Sequence, residues 1–112
     1  MATLTSSQRG AWNVLRLVGE IQTFADAATL RAVLFDRLSR ENASLALDLS
    51  DLSYIGSSGI GVVAQVQQEL EKRNKSLVLI GANSNVKHLL EIVSLDRLVQ
   101  FLDQPDQLDE LT

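Results

Sequence analysis

An α/β fold is predicted by three observations. Apolar segments of strand length alternate with segments whose apolar residues recur at helical spacing. Leu77 to Ile80 is an unbroken apolar run bounded by Ser76 and Gly81, the pattern of a strand covered on both faces. The chain of 112 residues has no Gly/Ser-rich linker, internal repeat or low-complexity tract, so a single core is expected.

The elements follow in order. Trp12, Val14, Leu15, Leu17 and Val18 form a short apolar strand closed by Gly19, and a turn at Arg9-Gly10 pairs it with residues near Ala2 to Ser7. From Asp26 to Arg40 the residues Ala27, Leu30, Val33, Leu34 and Leu38 mark one face of a first helix. Leu45, Leu47 and Leu49 alternate with Ala46 and Asp48 as a strand, after which the polar Ser50-Asp51 opens a loop reaching Gly56. Ile60, Val62, Val63, Val66 and Leu70 trace a second helix that begins at Ser57-Ser58 and ends near Lys72. Val86, Leu89, Leu90 and Val93 repeat at helical spacing behind Ser84 as a cap. A short strand near Val99 to Phe101 and a brief terminal helix opened by Asp103 and Pro105, carrying Leu108 and Leu111, complete the chain. Because a crossover helix joins them, Leu45–Leu49 and Leu77–Ile80 are expected to be adjacent, parallel central strands.

Composition excludes several function classes. Ten Lys and Arg against fourteen Asp and Glu give a net charge of −4, and the basic residues form no stripe, so direct nucleic-acid binding is not expected. With no cysteine and one histidine, neither a disulfide framework nor a zinc constellation can be assembled. No apolar run approaches the ~20 residues of a bilayer span, and Met1 to Gly10 has no apolar leader core. A soluble cytoplasmic protein without membrane insertion, a monomer or weak dimer, is expected.

Candidate chemical sites are few. Gly59-Ile60-Gly61-Val62-Val63-Ala64 has dinucleotide-binding spacing, but the connection from Leu49 to Gly59 reads as too long for that tight turn, and Leu79 to Asn83 supplies no carboxylate for a ribose. Small residues for close helix-to-sheet packing account for it better. Asp48 at a strand end suggests a phosphate-accepting aspartate, yet the carboxylates that would hold magnesium beside it are missing, which leaves a solvated or turn-bonding Asp. His88 has no cysteine or second histidine to join it and reads as a partly exposed helix residue. Ser57 and Ser58, between a loop and a helix, read on their own as caps for the first-turn amides.

The string Asp48-Leu49-Ser50-Asp51-Leu52-Ser53-Tyr54-Ile55-Gly56-Ser57-Ser58-Gly59-Ile60-Gly61 resembles the signature of STAS domains, the family of bacterial anti-anti-sigma factors. Gly19-Glu20-Ile21 is similar to the family's first strand-to-helix junction, and Val86 to Leu98 to its third helix and following turn. The resemblance implies one STAS-type α/β domain over residues 1–112, a mixed sheet of four to five strands with about four helices packed on it. It also implies an anti-sigma factor antagonist, a protein-binding module without catalysis or cofactor. Its partners would be an anti-sigma factor/serine kinase, which phosphorylates the antagonist and so blocks binding, and a serine phosphatase that restores it. The phosphorylated position corresponds to Ser57, with Ser58 as the neighbouring alternative, and the partner-binding segment to Gly56, Ser57, Ser58, Gly59 and Ile60. The chain departs from the family where Asp is common, at Gly56 and at Gln22. Alternative functions are a STAS adaptor regulating a transporter or other signalling complex, and a small nucleotide-binding α/β protein, which the missing Gly-Lys-Ser/Thr of a phosphate loop disfavours.

Overall fold

The computed structural model of the chain describes residues 2–111. Gly10, at φ +59°, lies in the turn between the first strand, β1 (Ala2–Arg9), and the second, β2 (Trp12–Ile21). These pair antiparallel with Arg9 opposite Trp12, as the Arg9-Gly10 turn predicts. The second strand does not stop at Gly19. That glycine adopts φ +115° within the strand, and the chain continues to the buried Ile21.

Helix α1 (Phe24–Arg40) starts two residues before the expected Asp26, because its N-cap is Thr23. Thr23 Oγ1 accepts from the Asp26 N–H at 3.0 Å while Asp26 Oδ2 accepts from the Thr23 N–H at 3.2 Å, a reciprocal capping box. Ala27, Leu30, Leu34 and Leu38 face the core; Val33, one position off that stripe, is exposed.

Strand β3 (Ser44–Ile55) is longer than its alternating segment. The expected loop from Ser50 to Gly56 is strand as far as Ile55. Its pairing with β2 passes from Arg16↔Asp48 to Val18↔Asp51, and then from Gly19↔Leu52 to Glu20↔Tyr54. Each irregularity adds a residue to β3, so the buried positions change from period two to the three-residue spacing of Leu49, Leu52 and Ile55. That spacing does not read as a strand.

Helix α2 (Ser57–Lys72), strand β4 (Leu77–Ile80), helix α3 (Ser84–Ile92), a 3₁₀ turn (Leu95–Arg97), strand β5 (Gln100–Leu102) and a 3₁₀ helix (Pro105–Leu111) follow. The strand order is β1-β2-β3-β4-β5, with β2 through β5 mutually parallel. Leu45 pairs with Leu77 and Leu47 with Leu79, so the two central strands are neighbours and parallel as predicted. Strands that add in chain order, joined by crossovers of one hand, place the connecting helices on one face. There α1, α2 and α3 pack on Leu15, Leu17, Leu45, Leu47, Leu49, Leu77 and Leu79. The opposite face carries Trp12, Val14, Ala46, Val78 and Ile80, covered by Leu108 of the 3₁₀ helix. Both faces of β4 are thereby buried, and each large side chain so enclosed contributes on the order of 1.5–3 kcal/mol. Of the two leucines expected in the terminal helix, Leu108 is buried and Leu111 exposed.

Candidate partner-binding site

The site is assembled where β3 ends and α2 begins. Ile55 is buried; Gly56, in extended conformation at φ −86° and ψ 178°, turns the chain from strand to helix as the N-cap. Its N–H donates to Ile21 O at 2.9 Å, and its carbonyl accepts from the Ile60 N–H at 3.0 Å. One residue therefore separates strand from helix. The expected long connection is absent because β3 runs through Ile55, so connection length no longer argues against the dinucleotide reading. The glycines themselves do. A Cβ on Gly59 would stand 2.6 Å from Ile55 Cγ1 and 2.9 Å from Ile21 Cγ2, whereas one on Gly61 would meet nothing within 4 Å. Gly59 permits close approach of α2 to the sheet, and Gly61 only faces outward.

The serine pair does not cap. Ser57 and Ser58 are the first two helical residues, the cap is Gly56, and no side chain bonds the first-turn amides. A Ser57 side chain inside the helix points away from those amides; at Gly56, the position whose side chain faces them, none is present. Ser57 is exposed, and neither serine hydroxyl has a hydrogen-bond partner among the described residues. The first turn also lacks any acidic residue. A free hydroxyl thus stands beside unpaired amides at the positive end of the helix dipole.

Of the partner-binding residues expected from the sequence, Gly56, Ser57 and Ser58 reach the surface, while Gly59 and Ile60 are buried against the sheet. Those two shape the turn and present no side chain outward. Two exposed aromatic residues border the same end of the sheet. Phe24, the first residue of α1, is 86% exposed, and Tyr54 is 50% exposed with its ring 3.6 Å from where a Gly56 side chain would begin. Beside Tyr54 lies a cleft of about 230 Å³ lined by Ser53, Ile55, Asn85, Val86, His88 and Leu89. Phe24 escapes sequence reading because it lies off the apolar stripe of its helix. The Thr23-Phe24-Ala25-Asp26 capping pattern is the signal that places it at a helix start.

The junction between β2 and α1 supplies carboxylates where the Asp positions of the family are Gln22 and Gly56. Gln22 Nε2 donates to Glu20 Oε2 at 2.9 Å, and the Gln22 N–H donates to Asp26 Oδ2 at 3.0 Å. Backbone donation from Gln22, then from Thr23, holds the Asp26 carboxyl below its ordinary range.

The remaining candidates lie elsewhere. Asp48 is not solvated: it is 8% exposed within β3, where Oδ1 accepts from the Ser50 N–H at 3.0 Å and from the Ser50 hydroxyl. The strand continues past Asp48, which encloses the side chain, and no group of acidic or histidine residues that could hold a metal occurs among the described residues. His88 is exposed on α3. The cap of α3 is Asn83, whose Oδ1 accepts from the Val86 N–H at 2.9 Å, in place of the expected Ser84. Val93, expected on the apolar face of that helix, lies past its end and is exposed. No helix among the described residues is long and apolar enough to cross a membrane.

Comparison with known proteins agrees with this geometry. The family model for the STAS domain matches residues 5–108. The anti-sigma-B factor antagonist of Listeria monocytogenes is 30% identical over 84 residues, covering 75% of this chain and 73% of that protein. A candidate anti-sigma factor antagonist from Thermotoga maritima superposes with a TM-score of 0.86 at 23% identity, over 96% of this chain and 92% of the other. The anti-sigma factor antagonist SpoIIAA, a Bacillus cell fate determinant, superposes with a TM-score of 0.76 in its unphosphorylated form, at 19% identity over 99% and 97% of the two chains. Its phosphorylated form gives the same score, at 18% identity over 98% and 100%.

Proposed function

The chain belongs to the STAS domain family, and from that premise we propose that it is an anti-sigma factor antagonist whose binding is switched by phosphorylation at Ser57. The whole chain, 1–112, acts as one STAS domain without catalysis or cofactor. It works in the cytoplasm as a monomer or weak dimer, with an anti-sigma factor/serine kinase and a serine phosphatase as partners. The observation that carries this reading is the exposed Ser57 hydroxyl, without a hydrogen-bond partner, on an α2 first turn that has neither side-chain cap nor acidic residue.

The physics of that turn explains a switch without unfolding. A phosphate brings about −1.5 to −2 charges and three acceptor oxygens, which meet free amides and the positive helix end. The domain tolerates the charge. A partner docked over Gly56, Ser57 and Ser58 would have to bury it unpaired, and a loss of ~3 kcal/mol lowers affinity by more than a hundredfold. The unphosphorylated surface, with Tyr54 and Phe24 flanking the turn, offers the aromatic anchors that protein interfaces favour.

The test begins with capture of the bound kinase from host lysate and its identification, followed by titration of purified components. Ser57→Asp should melt near the wild-type temperature yet bind the kinase at least a hundredfold more weakly. Ser57→Ala should keep binding and resist phosphorylation, and Ser58→Ala with mass-spectrometric site mapping distinguishes the two hydroxyls. Wild-type affinity in Ser57→Asp, or full phosphorylation of Ser57→Ala, would show the switch to lie elsewhere.

A further inference from the structure

The two edges of the sheet differ in kind. β5 is three residues long, and the chain leaves it at once through Asp103 and Gln104, whose N–H groups donate to Gln107 Oε1 at 2.7 and 2.9 Å. It offers little to an incoming strand. β1 is eight residues long and outermost, and its register with β2 runs unbroken from Ala2↔Gly19 to Arg9↔Trp12. The backbone groups on its outer side have no hydrogen-bond partner among the described residues. Edge strands are ordinarily guarded by charge, proline, a bulge or a covering element, because an unpaired edge templates another strand. From Ala2 to Gln8 this one has no charge, proline or bulge, and its residues are exposed except for the half-buried Ala2 and Leu4.

The occupant that fits this edge is a second copy of β1. When two copies pair antiparallel about a two-fold axis normal to the sheet, side chains opposite one another point to the same face. Because side chains alternate along a strand, the axis must then pass through one residue rather than between two. Centred on Thr5, the pairing sets Thr5 against the partner's Thr5 and Thr3 against the partner's Ser7. These lie on the face away from the helices, and such hydroxyl pairs bond across strands. On the helix face it sets Leu4 against the partner's Ser6 and Ala2 against the partner's Gln8. No charge enters the ladder. Arg9, the one charged residue of β1, falls outside it and keeps both hydrogen bonds to the Asp109 carboxylate, at 3.1 and 3.0 Å. An axis at Ser6 would press Arg9 against the partner's Thr3, and an axis at Leu4 would shorten the ladder.

Electrostatics points to the same strand. Copies of a chain with net charge −4 repel, so they approach most readily along an uncharged edge. We propose that the protein self-associates through β1, two copies pairing antiparallel about Thr5 and joining their five-stranded sheets into one. The two-fold turns the second copy end for end, so the two Ser57 turns stand at opposite ends of the joined sheet. Backbone pairing along a single strand buries a small area, which places the dimer in the weak class, with a Kd of about 10 µM to 1 mM. This association goes beyond the phosphorylation switch and does not rest on it.

Sedimentation velocity of the full chain from ~10 µM to ~1 mM should show a monomer passing to a dimer. Thr5 is exposed, so its variants should fold. Thr5→Lys places two cations face to face across the axis and should weaken the dimer by about tenfold or more, and Thr5→Glu should do the same with two anions. Mixing the two variants should restore association, since opposite charges then meet at the axis. The chain has no cysteine, so Thr5→Cys under mild oxidation should cross-link to its own copy, the facing Cβ atoms lying about 4.5–5.5 Å apart. Thr3→Cys should not, because its two copies stand roughly 14 Å apart along the strands at ~3.4 Å per residue. The proposal is overturned if the chain stays monomeric to ~1 mM, which would leave the edge to a strand of another protein. It is overturned equally if Thr5→Lys associates as wild type does, if the mixed variants stay apart, or if Thr3→Cys cross-links as readily as Thr5→Cys. None of these readouts involves Ser57 or the kinase.

Discussion

Two glycines in one helix should respond to alanine with opposite signs. Gly59 and Gly61 both lie in α2, where alanine is normally preferred over glycine by roughly 0.5–1 kcal/mol. At Gly61 an added methyl meets nothing within 4 Å, so that preference should appear as stabilisation of about 0.5–1 kcal/mol. At Gly59 the same methyl would come within 2.6 Å of Ile55 Cγ1, 2.9 Å of Ile21 Cγ2 and 3.0 Å of Ile55 Cδ1. Both isoleucines are buried and β-branched, which leaves little rotamer freedom for retreat. Overpacking of this kind costs typically 1–3 kcal/mol, and the rigidity of these neighbours favours the upper half. After the helix preference is deducted, Gly59→Ala should destabilise the domain by ~1–2 kcal/mol, lowering the melting temperature by about 4–8 °C. Urea denaturation followed by circular dichroism measures both variants, with an unchanged denaturant slope showing that only stability moved. If Gly59→Ala matches or exceeds wild-type stability, or the two variants shift in the same direction, the close approach of α2 to the sheet is misassigned.

Acid should weaken the start of α1. The Asp26 carboxyl titrates below its unfolded value of 3.8, so its contribution is fully present above that value and is lost as pH falls through the lower folded one. Asp26→Asn should therefore flatten the acid limb of a stability–pH profile below about pH 4, measured by thermal melts; an acid limb identical to wild type would discount the capping box. Asn83→Ala should cost ~1 kcal/mol by removing the acceptor of the Val86 N–H, whereas Ser84→Ala should leave stability within ~0.5 kcal/mol. Equal losses in the two variants, by the same denaturation assay, would contradict the assignment of Asn83 as the cap.

Much of the molecule is written in local pattern. The alternation of Leu45, Leu47 and Leu49, the unbroken Leu77–Ile80 and the helical spacing between them together indicate two parallel strands with a crossover helix, since a helix that packs back on the sheet returns the chain to start the next strand in the same direction. The apolar helical face from Ile60 to Leu70 behind Ser57-Ser58 likewise places Ser57 at the start of α2, although the segment before it reads as a loop. What the tertiary structure decided depends on partners distant in sequence. Register with β2 prolongs β3 to Ile55, since two added residues return Leu52 and Ile55 to the core at a spacing that imitates a loop. Where the chain leaves the sheet selects the caps, so Gly56 and Asn83 precede their helices and the adjacent serines lie inside them. Gln67 falls on the apolar side of α2 among valines and leucines and carries no local mark. Only the packing of α2 on the sheet encloses its side chain and leaves Oε1 buried without a hydrogen-bond partner among the described residues. Periodicity is a property of neighbours along the chain and survives in the sequence, whereas register, capping and the pairing of buried polar groups are settled by contacts between segments that the sequence holds apart.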